Sequence, residues 1–567
     1  MRSGNKEGLR AAPSSLIPHP SSLVYALPVV FLMILYFYPL LAILKLSLLP
    51  QGAIVWEPLR VLLTRVRYRQ VLFFSVWQAT LSTLLTLGLG LPSAYVVARY
   101  RFRGKTALRT LATVPFVLPT VVVATAFGAL LGEKGLINSL FAPLNGGRPV
   151  LLLDRTLVGL LLAHVFYNFT LVLRIVGGFW ANLDPRIEEA AAVLGASRWR
   201  VWREVTLPLL LPAIGAAALL VFIFTFAAFG TVLILGRPGD ATLEVQIYRE
   251  AVDLFNLPVA AALSLLQILA SLALTVVYTR IQERASVPLD RRAQRSLELP
   301  VSGGRWVLLS MVVGGMLLLL GAPLLALATR ALTLGGGWSL HFFQLLSQNR
   351  TNSYFFAPPS TAIRNSLLFA VLATVIALLV GVPAAYLLTT PHKRLRAMLD
   401  PVFMLPLGTS AVTLGFGYII ALDKPPLNLR ASPLLIPLAH ALIAFPLVVR
   451  TILPVLRSFD PRLREVAAVL GASPRRVWWE VDVPLLFRTT LVAAVFAFTI
   501  SLGEFGATLL LNFPNYPTMP VLIFRYLGRP GIEDYGQALA MSTLLMLVTA
   551  ISFALIERLR LGNASEF

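Results

Sequence analysis

The chain has 567 residues, of which 57% are hydrophobic and 13% are charged, and its mean hydropathy is +0.79. Soluble domains are about 25% charged, so this composition excludes a soluble globular enzyme. The 48 Lys and Arg residues against 26 Asp and Glu residues give a net charge of +22. A positive excess can indicate a nucleic-acid partner, but in so apolar a chain it is better explained by basic residues on the inner side of a membrane. Cysteine is absent, which excludes disulfides and thiolate metal sites.

Twelve apolar runs are long enough to cross a bilayer as helices, since about 17 to 25 apolar residues span the hydrocarbon layer. The runs are too long for barrel strands and lack the two-residue alternation of such strands. We therefore predict an all-α, polytopic membrane protein, and we interpret the first run as a retained helix rather than a signal peptide. The runs cover residues 23–44, 71–98, 108–131, 157–176, 213–235, 259–278, 306–328, 363–388, 401–422, 434–453, 490–511 and 538–556.

The two halves of the chain contain an internal repeat. Residues 184–208 align without a gap on residues 460–484 at an offset of 276, and 17 of the 25 positions are identical. The same offset places His164 on His440. Because each half has an even number of spans, both halves enter the membrane from the same side. The repeat is therefore parallel, with two six-helix halves around one central pathway.

The repeat and the polar stretches between the spans predict the domain boundaries. We predict a mobile N-terminal tail, two six-helix halves joined by a polar linker, and a short C-terminal tail. The boundaries are 1–20 for the first tail, 21–281 for the first half with its core at about 71–280, 282–304 for the linker, 305–560 for the second half with its core at about 363–556, and 561–567 for the last tail.

The repeated segment is polar in a chain that is otherwise apolar, and its pattern predicts a helix, a turn and a second helix. Asp184 and Asp460 are placed to cap the short first helix, and each is followed by Pro at the first helical position. Gly195 and Gly471 are placed as left-handed C-caps. The short helix has an apolar face, which indicates either a helix lying on the bilayer or docking into a groove of another protein. Duplication favours docking, because a two-domain partner offers two grooves.

This segment resembles the cytoplasmic loop of the permeases of binding-protein-dependent ABC importers. The pattern of that loop is Glu-Ala-Ala, three residues, Gly, nine residues, then an aliphatic residue, any residue and Leu-Pro. The second copy has Val466 and Val483 where the pattern has Ala and Leu. The matching residues are Glu189, Ala190, Ala191, Gly195, Val205, Leu207 and Pro208 in the first copy, and Glu465, Ala467, Gly471, Val481 and Pro484 in the second.

The resemblance covers nearly the whole chain and implies the fold of a type I (MetI-like) ABC importer permease with two fused domains. In such importers the short helix couples to a cleft on a nucleotide-binding subunit. The resemblance therefore implies an ABC ATPase dimer on the cytoplasmic side and an extracytoplasmic substrate-binding protein as partners. It implies a transport subunit rather than an enzyme, with no cofactor in this chain.

Two features of the basic residues agree with this expectation. With the N-terminus inside, 31 of the 48 basic residues fall on the inner side of the membrane and 17 on the outer side. This bias predicts a multi-pass cell-membrane protein with cytoplasmic N- and C-termini. It also explains the positive net charge without a nucleic-acid partner. The Gly-Lys-Thr sequence at residues 104–106 has Arg99 where a phosphate-binding loop needs Gly. ATP hydrolysis is therefore expected in a separate chain.

Polar side chains within the spans are candidates for the substrate pathway, since charges in the membrane are costly. Glu504 is the clearest, with Ala228 at its repeat position, and a local cap or pair is the alternative explanation. His164 and His440 could face each other across the pathway, with Asn168 near the first; bonding to nearby backbone is the alternative. We predict no metal site, because neither histidine has a carboxylate at ligand spacing.

The substrate class and two rival functions stay open at this level. Fused twelve-span permeases resemble those of thiamine and ferric-iron importers, and related ones move phosphonates. The stretches LLAHVFYN, TLEVQIY and LGEFG are more similar to the thiamine type. A major-facilitator-like secondary transporter also has two parallel six-helix halves, but its acidic and basic motif is missing from the loop RYRFRGKTALR. A polytopic membrane enzyme would need clustered catalytic polar residues at one membrane face.

Overall fold

The computed structural model describes most of the chain as one helical bundle. The N-terminal tail predicted at 1–20 and most of the predicted linker at 282–304 lie outside the described residues. The described residues are 22–49, 55–146, 148–237, 239–285, 299–300, 303–334, 337–348, 358–390, 392–423, 425, 427–511 and 513–561.

The described chain contains eleven helices long and apolar enough to cross a membrane. A further pair of helical segments, Lys393–Gly408 and Ala411–Ala421, is bent by 97° and makes a twelfth crossing if the pair is counted as one span. Each crossing lies on one of the twelve predicted runs. The prediction of an all-α membrane protein with about twelve spans is therefore confirmed.

The first half begins with a span that is interrupted by a π-helical turn at Met33–Phe37. A two-residue strand β1 (Tyr100–Arg101) follows the second span. The α-helices described in this half are α1 (Ser22–Leu32), α2 (Tyr38–Leu48), α3 (Glu57–Thr64), α4 (Val66–Arg99), α5 (Lys105–Val117), α6 (Thr120–Leu131), α7 (Leu136–Phe141), α8 (Leu157–Ala181), α9 (Pro185–Val193), α10 (Arg198–Val201), α11 (Leu207–Phe226), α12 (Gly230–Leu235), α13 (Leu243–Tyr248) and α14 (Leu257–Ala285).

The second half repeats this order from the seventh span onward. Strand β2 (Leu299–Pro300) precedes that span and pairs in parallel with β1, and β3 (Thr333–Leu334) pairs antiparallel with β4 (Gly337–Trp338). The α-helices described in this half are α15 (Arg305–Ala331), α16 (His341–Gln344), α17 (Pro359–Leu387), α18 (Lys393–Met404), α19 (Ala411–Ala421), α20 (Leu435–Ser458), α21 (Pro461–Val469), α22 (Pro474–Val477), α23 (Val483–Gly503), α24 (Gly506–Leu511), α25 (Met519–Leu527) and α26 (Ile532–Leu561).

Several spans that the sequence predicts as continuous are broken in the structure. The run at 108–131 is divided into α5 and α6 at Pro119, because proline lacks an N–H group and pushes the preceding Leu118 into an extended conformation. The run at 213–235 is divided between α11 and α12, and the run at 490–511 between α23 and α24. Broken membrane helices need other groups to satisfy the freed backbone, so each break is a place where side chains or another helix must approach.

Close helix packing is repeated in the two halves. In the first half a Cβ on Gly90 of α4 would lie 2.7 Å from Val172 Cγ1 of α8. In the second half a Cβ on Gly381 of α17 would lie 2.6 Å from Val448 Cγ1 of α20. Membrane helices associate through small residues that let backbones approach, so these two glycines fix the same helix pair in each half.

The first span of each half packs against the other half. Helices α1 and α2 contact α17 and α19, and Leu32, Leu35 and Tyr36 belong to the hydrophobic core of the second half. Helix α15 contacts α4, α5 and α6 of the first half as well as α26. This exchange joins the two halves into one bundle.

Candidate functional site

The repeated polar segment forms two short helices, α9 and α21, which we call the coupling helices. Asp184 Oδ1 accepts a hydrogen bond from the backbone N–H of Arg186 at 2.9 Å, and Asp460 Oδ1 accepts one from Arg462 at 3.0 Å. Both Asp residues are therefore N-caps, as predicted. In the first half Ser197 caps α10 in the same manner, through the N–H of Arg200.

Each coupling helix ends in a left-handed glycine. Gly195 has φ +85° and Gly471 has φ +83°, which confirms the predicted C-caps. The N–H of Gly195 bonds to the carbonyl of Ala192, and the N–H of Gly471 bonds to the carbonyl of Ala468, both at 3.0 Å. A Cβ at either glycine would meet no atom within 4 Å, so the requirement for glycine is one of backbone conformation.

The coupling helices expose apolar side chains at their C-terminal ends. Val193 and Leu194 are 87% and 88% exposed, and the equivalent Val469 and Leu470 are 86% and 82% exposed. The motif residues Glu189 and Glu465 are also exposed. Exposed apolar patches flanked by charges are typical of protein–protein contact sites. Both halves present this surface, which we call the coupling surface, at the same position of the repeat.

Each coupling helix is attached to the following span by a polar contact, but the residues differ between the halves. In the first half Glu188 accepts a hydrogen bond from Thr206 Oγ1 at 2.8 Å and forms an ion pair with Arg99 of α4. In the second half Arg464 makes two bonds to Asp482, at 2.9 and 3.0 Å. Arg464 is the repeat equivalent of Glu188, and Asp482 that of Thr206, so the chemistry of the contact changes while its place is kept.

Sequence reasoning missed this contact. The pairs Glu188/Arg464 and Thr206/Asp482 stood among the few non-identical positions of the repeat. The signal was that both members of one contact change together between the copies, and that signal is visible only once the contact is known.

The backbone between each coupling loop and the next span widens into a π-helical turn. These turns cover Trp202–Thr206 and Trp478–Asp482, which are repeat equivalents. The motif residues Pro208 and Pro484 follow at the second position of α11 and α23. Proline has no N–H to donate, and a wider turn before it accommodates the missing hydrogen bond.

Where the two halves meet, two equivalent phenylalanines stack on each other. The ring centroids of Phe229 and Phe505 are 5.6 Å apart with an interplanar angle of 28°. Tyr248 contacts Phe229 at 5.7 Å, and its equivalent Phe524 contacts Phe505 at 5.5 Å. We call these four rings the aromatic cluster. Its arrangement follows the pseudo-twofold relation of the repeat, so the cluster lies on the axis between the halves.

The broken spans bring the backbones of the two halves close to this cluster. A Cβ on Gly230 would lie 3.1 Å from Phe505 Cδ1, and a Cβ on Gly506 would lie 3.5 Å from Phe229 Cδ1. Each phenylalanine therefore packs over the glycine that follows its counterpart. Phe229 and Phe505 are 8% and 3% exposed, so this contact closes the space between the halves in the structure.

The two histidines lie inside their own halves. His164 Nε2 is 3.0 Å from Thr231 Oγ1 on α12, and His440 Nε2 is 2.8 Å from Thr508 Oγ1 on α24. Asn168 bonds to the carbonyl of His164 and to a threonine of α11. The structure therefore uses each histidine to hold the short helix after a broken span, and the hydrogen bonds described for the pair do not join the halves.

Glu504 caps helix α24. Its carboxylate accepts hydrogen bonds from the backbone N–H groups of Ala507 and Thr508 at 2.8 and 3.1 Å, and from Thr508 Oγ1 at 2.6 Å. His440 Nε2 lies 3.2 Å from the same carboxylate. The structure thus brings Glu504 and His440 together and leaves His164 with a separate partner. Among the described residues, no group of three His, Asp or Glu side chains is placed to hold a metal ion.

The fold and these sites define a class of protein. Two parallel six-helix halves meet at a shared axis, and each presents an equivalent short helix with an exposed apolar end. This is the architecture of a two-domain transport permease.

The comparisons with known proteins place the chain in a family. Residues 87–287 and 373–560 each match the model of the binding-protein-dependent transport system inner membrane component. The chain belongs to this family, in two copies, and is a fused two-domain ABC importer permease. This result confirms the repeat and favours a transport component over the major-facilitator and membrane-enzyme alternatives.

Named relatives extend over nearly the same length. The chain is 27% identical over 500 residues to the thiamine transport system permease protein ThiP of Escherichia coli (strain K12). The aligned region covers 86% of this chain and 88% of that protein. It is 25% identical over 492 residues to the ferric transport system permease protein FbpB of Actinobacillus pleuropneumoniae, covering 84% and 68%. The solved structure of a bacterial ABC transporter that imports alginate matches 47% of this chain and 96% of that chain, with TM-score 0.40 and 17% identity.

Proposed function

We propose that the two coupling surfaces dock on a pair of ATPase subunits at the cytoplasmic face of the cell membrane. The observation that carries this proposal is the matched exposure of Leu194 and Leu470 at the ends of two helices that are otherwise held firmly to the bundle. ATP is hydrolysed in those separate chains, and this chain holds no cofactor. The N- and C-termini are cytoplasmic, in agreement with the distribution of basic residues.

Closure of the ATPase pair moves the coupling helices, and each helix moves the span that follows it. The contacts between Glu188 and Thr206 and between Arg464 and Asp482 transmit that motion, because each joins a coupling helix to the start of α11 or α23. The other ends of these spans lead into the segments that carry Phe229 and Phe505. Motion at the coupling surface thus separates or joins the two stacked rings.

The substrate of this importer is an organic cation of the thiamine class, delivered by an extracytoplasmic binding protein. The support is the extent of the relationship: the thiamine permease of Escherichia coli is matched over 88% of its length, whereas the ferric permease is matched over 68% of its length. Ferric iron is the second candidate, since that relative also spans both halves of this chain.

The experiment that tests this function is uptake into proteoliposomes. The permease is reconstituted with its ATPase subunits and binding protein, and uptake of labelled thiamine and of labelled ferric iron is measured with ATP, without ATP and with a non-hydrolysable ATP analogue. Thiamine uptake that requires ATP hydrolysis supports the proposal. Uptake of ferric iron alone, or uptake that follows a proton gradient without ATP, contradicts it.

A further inference from the structure

A second buried carboxylate lies where the two halves meet. Glu244 on α13 of the first half is fully buried, and its Oε2 accepts a hydrogen bond from Ser410 Oγ, which belongs to the second half. Ser410 also caps α19 by accepting bonds from the N–H groups of Val412 and Thr413. This carboxylate therefore contacts the backbone break that precedes α19, at the interface that must open during transport.

The other oxygen of Glu244 has no hydrogen-bond partner among the described residues. The comparable carboxylates are better satisfied. Glu250 accepts bonds from Tyr68 at 3.0 Å and from Gln246 at 2.6 Å, and Glu504 accepts several bonds in its cap. A buried carboxylate with a free oxygen is costly, and buried ionisable groups of this kind cluster at functional sites.

Two independent paths connect Glu244 to the aromatic cluster. Tyr248, a member of the cluster, follows Glu244 by four residues in the same helix, so their side chains lie on one face. On the other side Val412, two residues after Ser410, lies 3.1 Å from the position of a Cβ on Gly506, which is itself 3.5 Å from Phe229. The carboxylate is thus one helical turn from a group of four aromatic rings.

The site has no duplicate. The repeat equivalent of Glu244 is Pro520, so a single acidic group lies beside rings contributed by both halves. An acid that ionises once it is exposed to water and several aromatic faces are the combination that recognises an organic cation, because the ring faces attract positive charge and the carboxylate balances it.

We propose that Glu244 and the aromatic cluster form a transit site for an organic cation with delocalised charge, which is occupied when the two halves separate. The closed structure holds Glu244 through Ser410 and the rings through their mutual stacking. Separation of the halves breaks both contacts and exposes the carboxylate and the ring faces to the pathway. This proposal rests on the proposed function, because it requires that the substrate be an organic cation.

The same chemistry disfavours a ferric ion at this site. A hard metal ion needs several oxygen ligands, and three of the four rings in the cluster are phenylalanines, which supply none. A planar cation instead can stack on the rings while its charge lies near Glu244. The site therefore distinguishes the two candidate substrates by chemistry.

The test uses the complete importer in proteoliposomes with two labelled substrates: thiamine and a neutral analogue in which a thiophene ring replaces the thiazolium. The ratio of their uptake rates is measured for the native protein and for Glu244→Gln, with saturating binding protein. The native protein and the variant receive substrate from the same binding protein, so the preference of the binding protein for one substrate cancels when the two ratios are compared. We expect Glu244→Gln to lower the ratio of thiamine uptake to analogue uptake about tenfold, and we expect Glu244→Asp to keep most of the native ratio.

Glu133→Gln, an exposed residue after α6, is the matched control and should leave the ratio unchanged. The thermal unfolding temperature of each complex and its ATP hydrolysis with loaded binding protein show whether the variant is folded. If the native importer takes up thiamine and folded Glu244→Gln keeps the native ratio, the transit site is overturned while the proposed function stands. If the native importer does not take up thiamine, the proposed substrate and the site are both overturned.

Discussion

Arg464 and Asp482 form a doubly bonded ion pair at the place where the other half of the protein has Glu188 and Thr206. Asp482 is buried, with 1% of its side chain exposed, whereas Arg464 is 24% exposed. The first half obtains its positive charge from Arg99 instead, and the residue aligned with Arg99 in the second half is Thr390. The two halves therefore attach equivalent helices by contacts of opposite polarity.

This ion pair should matter more to coupling than a surface charge on the same helix. Arg464→Ala leaves the Asp482 carboxylate buried without its partner, and we expect substrate-stimulated ATP hydrolysis to fall about tenfold. Arg464→Lys should recover only part of the activity, because an ammonium group cannot reproduce the two-pronged geometry. Arg462→Ala removes an exposed arginine from the same helix and is the control. Equal effects of Arg464→Ala and Arg462→Ala would contradict the coupling role of the pair.

Exchange of the contact chemistry provides a sharper version of that test. Arg464→Glu alone places two acids in contact, so we expect almost complete loss of stimulated ATP hydrolysis. Arg464→Glu combined with Asp482→Thr recreates the Glu–Thr hydrogen bond of the first half, without the arginine that Arg99 provides there, and this double variant should recover about tenfold over the single variant. A double variant no more active than the single one would show that the site requires a particular charge rather than an intact contact.

The two left-handed glycines should be sensitive to backbone conformation and not to side-chain size. Because a Cβ has open space at Gly195 and Gly471, substitution acts only through the positive φ and should cost about 1 to 2 kcal/mol locally. We expect Gly471→Val to reduce ATP-driven uptake strongly and Gly471→Asn to reduce it little, since Asn tolerates this conformation. Gly178→Ala, in the regular part of α8 with equally open space, is the control. Equal uptake by the Val and Asn variants would argue against the conformational explanation.

The stacked phenylalanines should limit leakage through the closed transporter. Phe505→Ala removes one ring of the contact at the axis, and we expect preloaded substrate to leave proteoliposomes without ATP about tenfold faster than from the native protein. Phe229→Ala should have a similar effect, because the two residues are equivalent in the repeat. Phe487→Ala, which removes a 63% exposed ring, is the control. A native leakage rate in both axis variants would mean that another contact closes the pathway.

Glu504 should act on stability rather than on substrate choice. Its carboxylate accepts hydrogen bonds from two backbone N–H groups at the start of α24, and charged caps of this kind stabilise helix starts by about 1 to 2 kcal/mol. We expect Glu504→Ala to lower the thermal unfolding temperature while the uptake ratio of thiamine to its neutral analogue stays native. A changed ratio with a native unfolding temperature would instead place Glu504 in the pathway.

The sequence predicted the elements that depend on local patterns. Twelve apolar runs, the caps at Asp184 and Asp460 and the left-handed glycines are all set by residues close together in the chain, and all are found in the structure. The repeat offset also predicted which residues would be equivalent. These features follow from composition, periodicity and helix-capping chemistry alone.

The contacts that close the pathway could not be predicted in this way. Phe229 and Phe505 lie among many apolar residues, and although Phe505 follows Glu504, no local pattern indicates that the two rings meet. Glu244 is separated from Ser410 by 166 residues, so its contact depends on how the halves dock. Such long-range contacts can be identified only from the fold. The repeat offset shows that the two phenylalanines are equivalent, but it does not show that they lie on the axis.

Assembly with the ATPase, measured after a charge is placed on the coupling surface, shows directly whether that surface is the docking site. Leu194 and Leu470 are more than four-fifths exposed, so Leu194→Asp with Leu470→Asp should leave the thermal stability of the permease itself unchanged. Leu152→Asp, at an exposed leucine in the loop before α8 and outside the membrane-crossing helices, provides the comparison. We expect the double variant to insert normally but neither to retain ATPase subunits on purification nor to stimulate ATP hydrolysis. Native retention and native stimulated hydrolysis by the double variant would contradict this expectation.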